Sequence, residues 1–159
     1  MAKVLIVYYS RSGNTEKMAE AVKEGLDEVS GIDVEMKKVG ETTPDDLVEA
    51  DGIVMGSPTY YGTMASELKK LIDESVKHHG KLDGTVGGAF ATSGVLGGGN
   101  ETTALDIVKA MLIHGMIVKG NWRGAHYGAV SVGAPDENAL KEGRKLGKAV
   151  GELTLKLHG

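Results

Sequence analysis

Three short segments hold the side chains whose types and spacing could do chemistry. Ser10-Arg11-Ser12-Gly13-Asn14-Thr15 offers hydroxyls, an amide and an unobstructed glycine N–H directly ahead of a helical pattern. A phosphate monoester set there would meet the unpaired N–H groups and positive dipole end of a helix N-terminus, with the Ser10, Ser12 and Thr15 hydroxyls as further donors, so no lysine is needed. The same turn can simply cap the helix through Ser12, Asn14 or Thr15. Arg11, ordinarily a surface residue type, stands beside that phosphate position and could steer an anionic substrate. Gly56-Ser57-Pro58-Thr59-Tyr60-Tyr61-Gly62 places two adjacent tyrosines between glycines in a chain with one Phe, one Trp and five Tyr. Displaying both is costly unless a flat partner covers them; otherwise one packs on the domain and the other is merely exposed. In Thr92-Ser93-Gly94-Val95-Leu96-Gly97-Gly98-Gly99-Asn100-Glu101 the glycines remove Cβ atoms and allow positive φ, so this backbone either lies against a planar ligand or forms a loop without contacts.

Hydrophobic patterning indicates the elements that position these segments. Lys3 to Tyr9 is an unbroken apolar run, as in a strand buried on both faces. Glu16 to Val29 spaces Met18, Val22, Leu26 and Val29 along one helical face. Ile32 to Val39 alternates Ile32, Val34 and Met36 with Asp33, Glu35 and Lys37, the pattern of a strand outside the first. Asp45 to Glu49 reads as a short helix, Gly52 to Met55 as strand three, and Leu68, Leu71, Ile72 and Val76 as another helical face. Val86 to Ala91 is strand four, and Leu105, Val108 and Leu112 face inward on the helix after it. Met116 to Val118 begins strand five and Tyr127 to Val132 continues it. The last helix runs from about Asp136 to Leu157 behind Pro135, with Leu140, Leu146, Val150, Leu153 and Leu157 inward. The 24 glycines concentrate where apolar runs stop and mark tight loops. This alternation predicts one α/β domain, residues 1–159, with a parallel sheet between two helical layers.

Ligands of such sheets bind beyond the carboxyl ends of the strands, near the reversal of strand order. A phosphate cradle, an aromatic wall and a glycine-rich edge on the loops after strands one, three and four describe a site for flavin mononucleotide (FMN). Neither G-x-G-x-x-G nor G-x-x-x-x-G-K-[ST] occurs, which disfavours dinucleotide and triphosphate folds. Lys plus Arg total 18 against 22 for Asp plus Glu, net charge −4, so there is no basic excess for a nucleic-acid partner. Without cysteine there is no disulfide, thiol nucleophile, iron–sulfur cluster or thiolate zinc site, which fits a reducing cytoplasm. No stretch reads as a signal or membrane span. The adjacent His78 and His79 diverge in any regular element and make a poor metal pair, so no metal is expected.

Taken together, the residues resemble the flavodoxin-like proteins and, within them, the WrbA-type NAD(P)H:quinone oxidoreductases. Met1 to Ser10, Gly56-Ser57-Pro58-Thr59 with Gly62, Ser93-Gly94 to Gly97-Gly98-Gly99, His114-Gly115-Met116, Tyr127-Gly128-Ala129 and Leu155-Lys156-Leu157 with Gly159 follow that family's order over nearly the whole chain. The first loop is closer to the general flavodoxin form. The resemblance implies a three-layer sandwich with five parallel strands ordered 2-1-3-4-5. It implies that Ser10, Arg11, Ser12, Gly13, Asn14 and Thr15 hold the ribityl phosphate of FMN, and that Pro58, Thr59, Tyr60, Tyr61 and Gly62 flank the ring. Thr92, Ser93, Gly94, Val95, Leu96, Gly97 and Gly98 would line the polar edge, and His114 would be the catalytic histidine, stabilising negative charge on the reduced flavin.

Gly40 to Asp51 and Val118 to Tyr127 are shorter than in that family, whose insertions there accompany its tetramer; a dimer and a tetramer both stand as alternatives. The family's aromatic residue near the substrate falls here around Lys77 and His78, leaving Tyr60, Trp122 or Tyr127 as substitutes. The implied reaction moves two electrons from NAD(P)H to a quinone, both small-molecule partners. The alternative is a carrier that shuttles single electrons between redox proteins. A net charge of −4 is modest for such a carrier, which uses a strongly acidic edge to steer docking.

Overall fold

The computed structural model describes residues 1–159. Seven strands form its sheet: β1 (Ala2–Tyr8), β2 (Ile32–Lys38), β3 (Gly52–Tyr60), β4 (Thr63–Met64), β5 (Val86–Ser93), β6 (Ile117–Val118) and β7 (Ala129–Val132). They occupy the five parallel positions anticipated, in the order β2-β1-β3-β5, with β6 and β7 sharing the fifth. Ile117 and Val118 oppose Val86 and Gly87, and β7 opposes Phe90 to Ser93. β4 is additional. It pairs antiparallel with the end of β3, which runs to Tyr60 rather than stopping at Met55.

Five helices cover the sheet: α1 (Asn14–Asp27), α2 (Pro44–Val48), α3 (Ser66–Glu74), α4 (Asn100–Ile113) and α5 (Glu137–His158). β1 shows why its sequence is apolar throughout. Val4, Ile6 and Tyr8 pack toward Met18, Val22 and Leu26 of α1 and Val150 of α5, whereas Leu5 and Val7 join Leu47, Leu68, Ile107 and Met111 on the other face. With a side-chain period of two, both sets are buried. Glycine at 56 is demanded by Phe90 on the neighbouring strand, because a Cβ there would overlap the phenyl ring.

Two helix faces differ from the sequence reading. α4 packs through Ala104, Ile107 and Met111, one position round from the anticipated stripe, and leaves Leu112 58% exposed. On α5 the fully buried stripe is Gly143, Gly147, Val150, Gly151 and Thr154; Leu140, Leu146 and Leu153 pack partly buried against the same core as anticipated, while Leu157 is exposed. α1 and α5 approach so closely that a Cβ on Gly147 would strike the Val22 carbonyl, and one on Gly25 the Arg144 carbonyl. These glycines therefore serve helix contact rather than tight loops. No helix is long and apolar enough to cross a membrane.

Candidate functional site

Strand order reverses between β1 and β3, and the parallel strands β1, β3 and β5 all deliver the chain to the same edge of the sheet. The three segments meet there. In the first, Gly13 takes φ 96° just ahead of α1, with no atom within 4 Å of the position its Cβ would occupy. Ser10 Oγ accepts from the N–H groups of Gly13 (3.1 Å) and Glu16 (3.3 Å), leaving its own proton free to donate. Ser10, outside the set Ser12, Asn14 and Thr15, is thus the side chain that caps this turn. Thr15 is buried, and its Oγ1 lies 2.9 Å from Thr92 Oγ1, stitching the first segment to the third instead of facing outward. Arg11 and Ser12 are exposed.

The second segment is strand and hairpin rather than loop. Tyr60 pairs with Thr63 across Tyr61 and Gly62, whose φ values of 47° and 87° suit the tight turn of a right-twisted hairpin. Ser57 Oγ donates to the Pro58 carbonyl (2.8 Å) and accepts from the Ala65 N–H (2.8 Å), and Thr59 Oγ1 is 3.0 Å from Thr103 Oγ1. The two tyrosines part company. Tyr60 is half-buried, edge-on to Tyr9 at 6.2 Å between ring centroids, with the Arg11 guanidinium 5.9 Å from its own centroid. Tyr61 is fully exposed.

In the third segment Thr92 and Ser93 are the buried end of β5, whereas Gly94 to Gly97 are exposed, Leu96 at 90%. Gly94 and Gly97 face open space where a Cβ would be. Ser93 Oγ donates to the Val95 carbonyl and accepts from Asn100 Nδ2, which also reaches the Ser131 carbonyl. The Gly98 N–H is turned inward to Val95 O at 3.0 Å. A Cβ on Gly99 would lie 3.5 Å from Thr59 Cγ2 and 3.9 Å from Gly62 Cα, so the second and third segments touch. Tyr9 and Thr103 also belong to this assembly, although the sequence gives them no role in the site, and Asn100, near the end of the third segment, joins it from a helix start behind three glycines.

His114 is elsewhere. α4, with 14 residues, carries the chain about 21 Å from the third segment before His114 is reached. There Nε2 lies 2.8 Å from Ser75 Oγ, whose proton goes to the Ile72 carbonyl at 2.6 Å. The imidazole therefore donates from Nε2 and keeps a bare, buried Nδ1 without a partner. Burial first, and His79 second, hold its pKa below the usual histidine value. Both Tyr60 and His114 border the long groove between α3 and α4, yet the helix length separates His114 from the three segments.

Trp122 and Tyr127 are also displaced. β6 and β7 are pinned to different halves of β5, so the chain between them bulges sideways at mid-sheet instead of at the carboxyl end. The two aromatics line a separate cavity of about 140 Å³ with Val118, Glu142, Lys145 and Leu146, and Trp122 carries Arg123 at 4.5 Å from its ring centroid.

A protein-family model described as a flavodoxin domain matches residues 5–114. A curated flavodoxin of Aquifex aeolicus is 39% identical over 160 residues, covering 96% of this chain and 86% of that protein. A protein of Archaeoglobus fulgidus named NAD(P)H dehydrogenase (quinone) is 34% identical over 191 residues, covering 99% of this chain and all of that one. The solved structure of a flavodoxin, WrbA-like protein from Agrobacterium tumefaciens superposes with a TM-score of 0.83 at 25% identity, covering 99% of each chain. With its strand order, its converging segments and these matches, the chain belongs to the flavodoxin family.

Proposed function

We propose that the protein is an FMN-dependent oxidoreductase that takes two electrons from NAD(P)H and delivers them to a quinone. Membership of the flavodoxin family implies a flavin, and relatives named NAD(P)H dehydrogenase (quinone) support the reaction. The observation that carries the reading is the meeting of the three segments at one sheet edge, through Thr15 with Thr92, Tyr60 with Tyr9 just ahead of the first segment, and Gly99 with Thr59. Their chemistry fits a monophosphate. Ser10 has a proton to give, Ser12 is exposed, the first turn of α1 presents N–H groups beside the open side of Gly13, and none of the three segments holds a carboxylate before the α4 helix begins.

Tyr60 would lie against the ring, Tyr61 and Leu96 would frame its open side, and the backbone around Gly94 and Gly97 would face its polar edge. When bound there, FMN supplies the hydride-accepting and electron-donating chemistry; the chain binds the phosphate, orients the ring and leaves one face accessible. His114, Trp122 and Tyr127 take no part in this scheme. The purified protein is expected to be yellow and to release equimolar FMN in acid. NADH or NADPH should bleach it anaerobically, and benzoquinone should restore the colour with ping-pong kinetics. Recovery of FAD, or failure of both nicotinamides, overturns the reading.

A second reading has its own observation. The alignment with the Aquifex flavodoxin spans 160 positions, close to the 159 of this chain, whereas that with the Archaeoglobus protein spans 191. A carrier of single electrons would be reduced by a reductase protein and not by the nicotinamides, and the same bleaching experiment separates the two.

A further inference from the structure

We propose that Arg11 receives a phosphate of the nicotinamide dinucleotide and so selects a dinucleotide as electron donor; this rests on the NAD(P)H reading above. Between Ser10 and Thr15, Gly56 and Gly62, and Thr92 and Gly99, Arg11 is the sole charged side chain. The arginine ion pairs of the fold are made by Arg144, and Arg11 has no carboxylate partner. Its guanidinium leans over Tyr60 of the second segment rather than into the turn that Ser10 and Gly13 form. A π face steadies a cation without neutralising it, so the planar donor fork remains available to an anion.

The charges around it make this position informative. Along the groove that begins at Tyr60, Lys69 and Lys109 are already engaged by Asp73 and Asp106. The molecule as a whole carries −4 and repels a polyanionic donor. A donor that brings its nicotinamide to a face bordered by Tyr60 must carry its phosphates across the rim, and Arg11 is the unpaired cation standing there.

The test compares wild type with Arg11→Ala, an exposed position whose change leaves the core untouched, using NADH, NADPH and the uncharged 1-benzyl-1,4-dihydronicotinamide. The expected result is a rise of about ten-fold in KM, equivalent to about 1.4 kcal/mol, for one or both dinucleotides, with the uncharged donor moved by less than about two-fold. Loss confined to NADPH assigns the 2′-phosphate, and loss with both assigns the pyrophosphate. A readout without turnover accompanies it: the Kd values of FMN and riboflavin for the apoprotein should keep their ratio. Three results overturn the proposal: equal loss for all three donors, no loss, or a selective loss of FMN affinity, which would assign Arg11 to the cofactor phosphate. Failure of both dinucleotides to reduce the wild-type flavin overturns the NAD(P)H reading and this proposal together. Normal wild-type reduction with an unaltered variant overturns this proposal alone.

Discussion

A single hydroxyl at Ser10 holds two backbone N–H groups and still has a proton to give. Replacing it with alanine should therefore act twice. Loss of the cap should lower stability by about 1 kcal/mol, and loss of a charge-assisted donor should weaken FMN by roughly 1.5–3 kcal/mol more than riboflavin, which lacks the phosphate. Titrating both ligands into apoprotein checks this, and equal losses would place the phosphate elsewhere. His114 shows the opposite case, a residue whose identity was legible and whose location was not. A resemblance fixes its order in the chain, but the 14 residues of α4 determine its distance from the site. Its burial predicts a pH effect on folding instead of catalysis. With the folded pKa lowered, the unfolded chain binds the proton first. The stability that neutral His114 contributes is full above its ordinary value near 6.5 and declines as pH falls below it. Urea unfolding at about pH 7.5 and about pH 5.5 should show a steeper loss in wild type than in His114→Gln; parallel losses would refute the assignment.

At the level of elements, the strands were legible because burial on both faces leaves an uninterrupted apolar run, as in β1, and an edge leaves alternation, as in β2. The α5 stripe was not. Glycine inside a helical pattern ordinarily costs about 1 kcal/mol relative to alanine, so Leu140, Leu146 and Leu153, which do pack at the margin of the core, read as the centre of the inward face and the glycines as punctuation. What reverses this is a partner that cannot be seen in one segment: the backbone of α1, which fills the space where the Gly147 Cβ would stand. Gly25→Ala and Gly147→Ala should thus each destabilise by about 1–3 kcal/mol despite their better helix propensity, because rigid carbonyls must move. Denaturant midpoints decide it, and a stabilised variant would mean that the helices separate without penalty. Similarly, Trp122 and Tyr127 stand in the sequence as substitutes for the family's aromatic residue near the substrate, whereas the pairing of β6 and β7 with separate halves of β5 ejects them sideways.

On the scale of the whole molecule, the candidate site is assembled from segments far apart in sequence. Thr15 and Thr92 are 77 residues apart, and Thr59 and Thr103 are 44 apart, yet both pairs bond at the sheet edge. Parallel topology dictates that convergence, so the strand pattern alone brings the three segments to one edge of the sheet. It also ties the ligand to global stability, since a molecule that binds the three segments together binds the folded chain and not the unfolded one. At a free concentration a hundredfold above its Kd, FMN should add about 2.7 kcal/mol to the unfolding free energy. For a chain of this size each kcal/mol raises Tm by roughly 2–4 °C, so a shift of about 5–10 °C is expected. Riboflavin at the same free concentration should give a smaller shift, because the donors around Ser10 and the α1 N-terminus then have no phosphate to hold. Thermal scans of apoprotein with each ligand measure the difference. An FMN shift no larger than that of riboflavin would mean that the first segment does not grip the phosphate, and the cradle would have to be sought at another edge of the sheet.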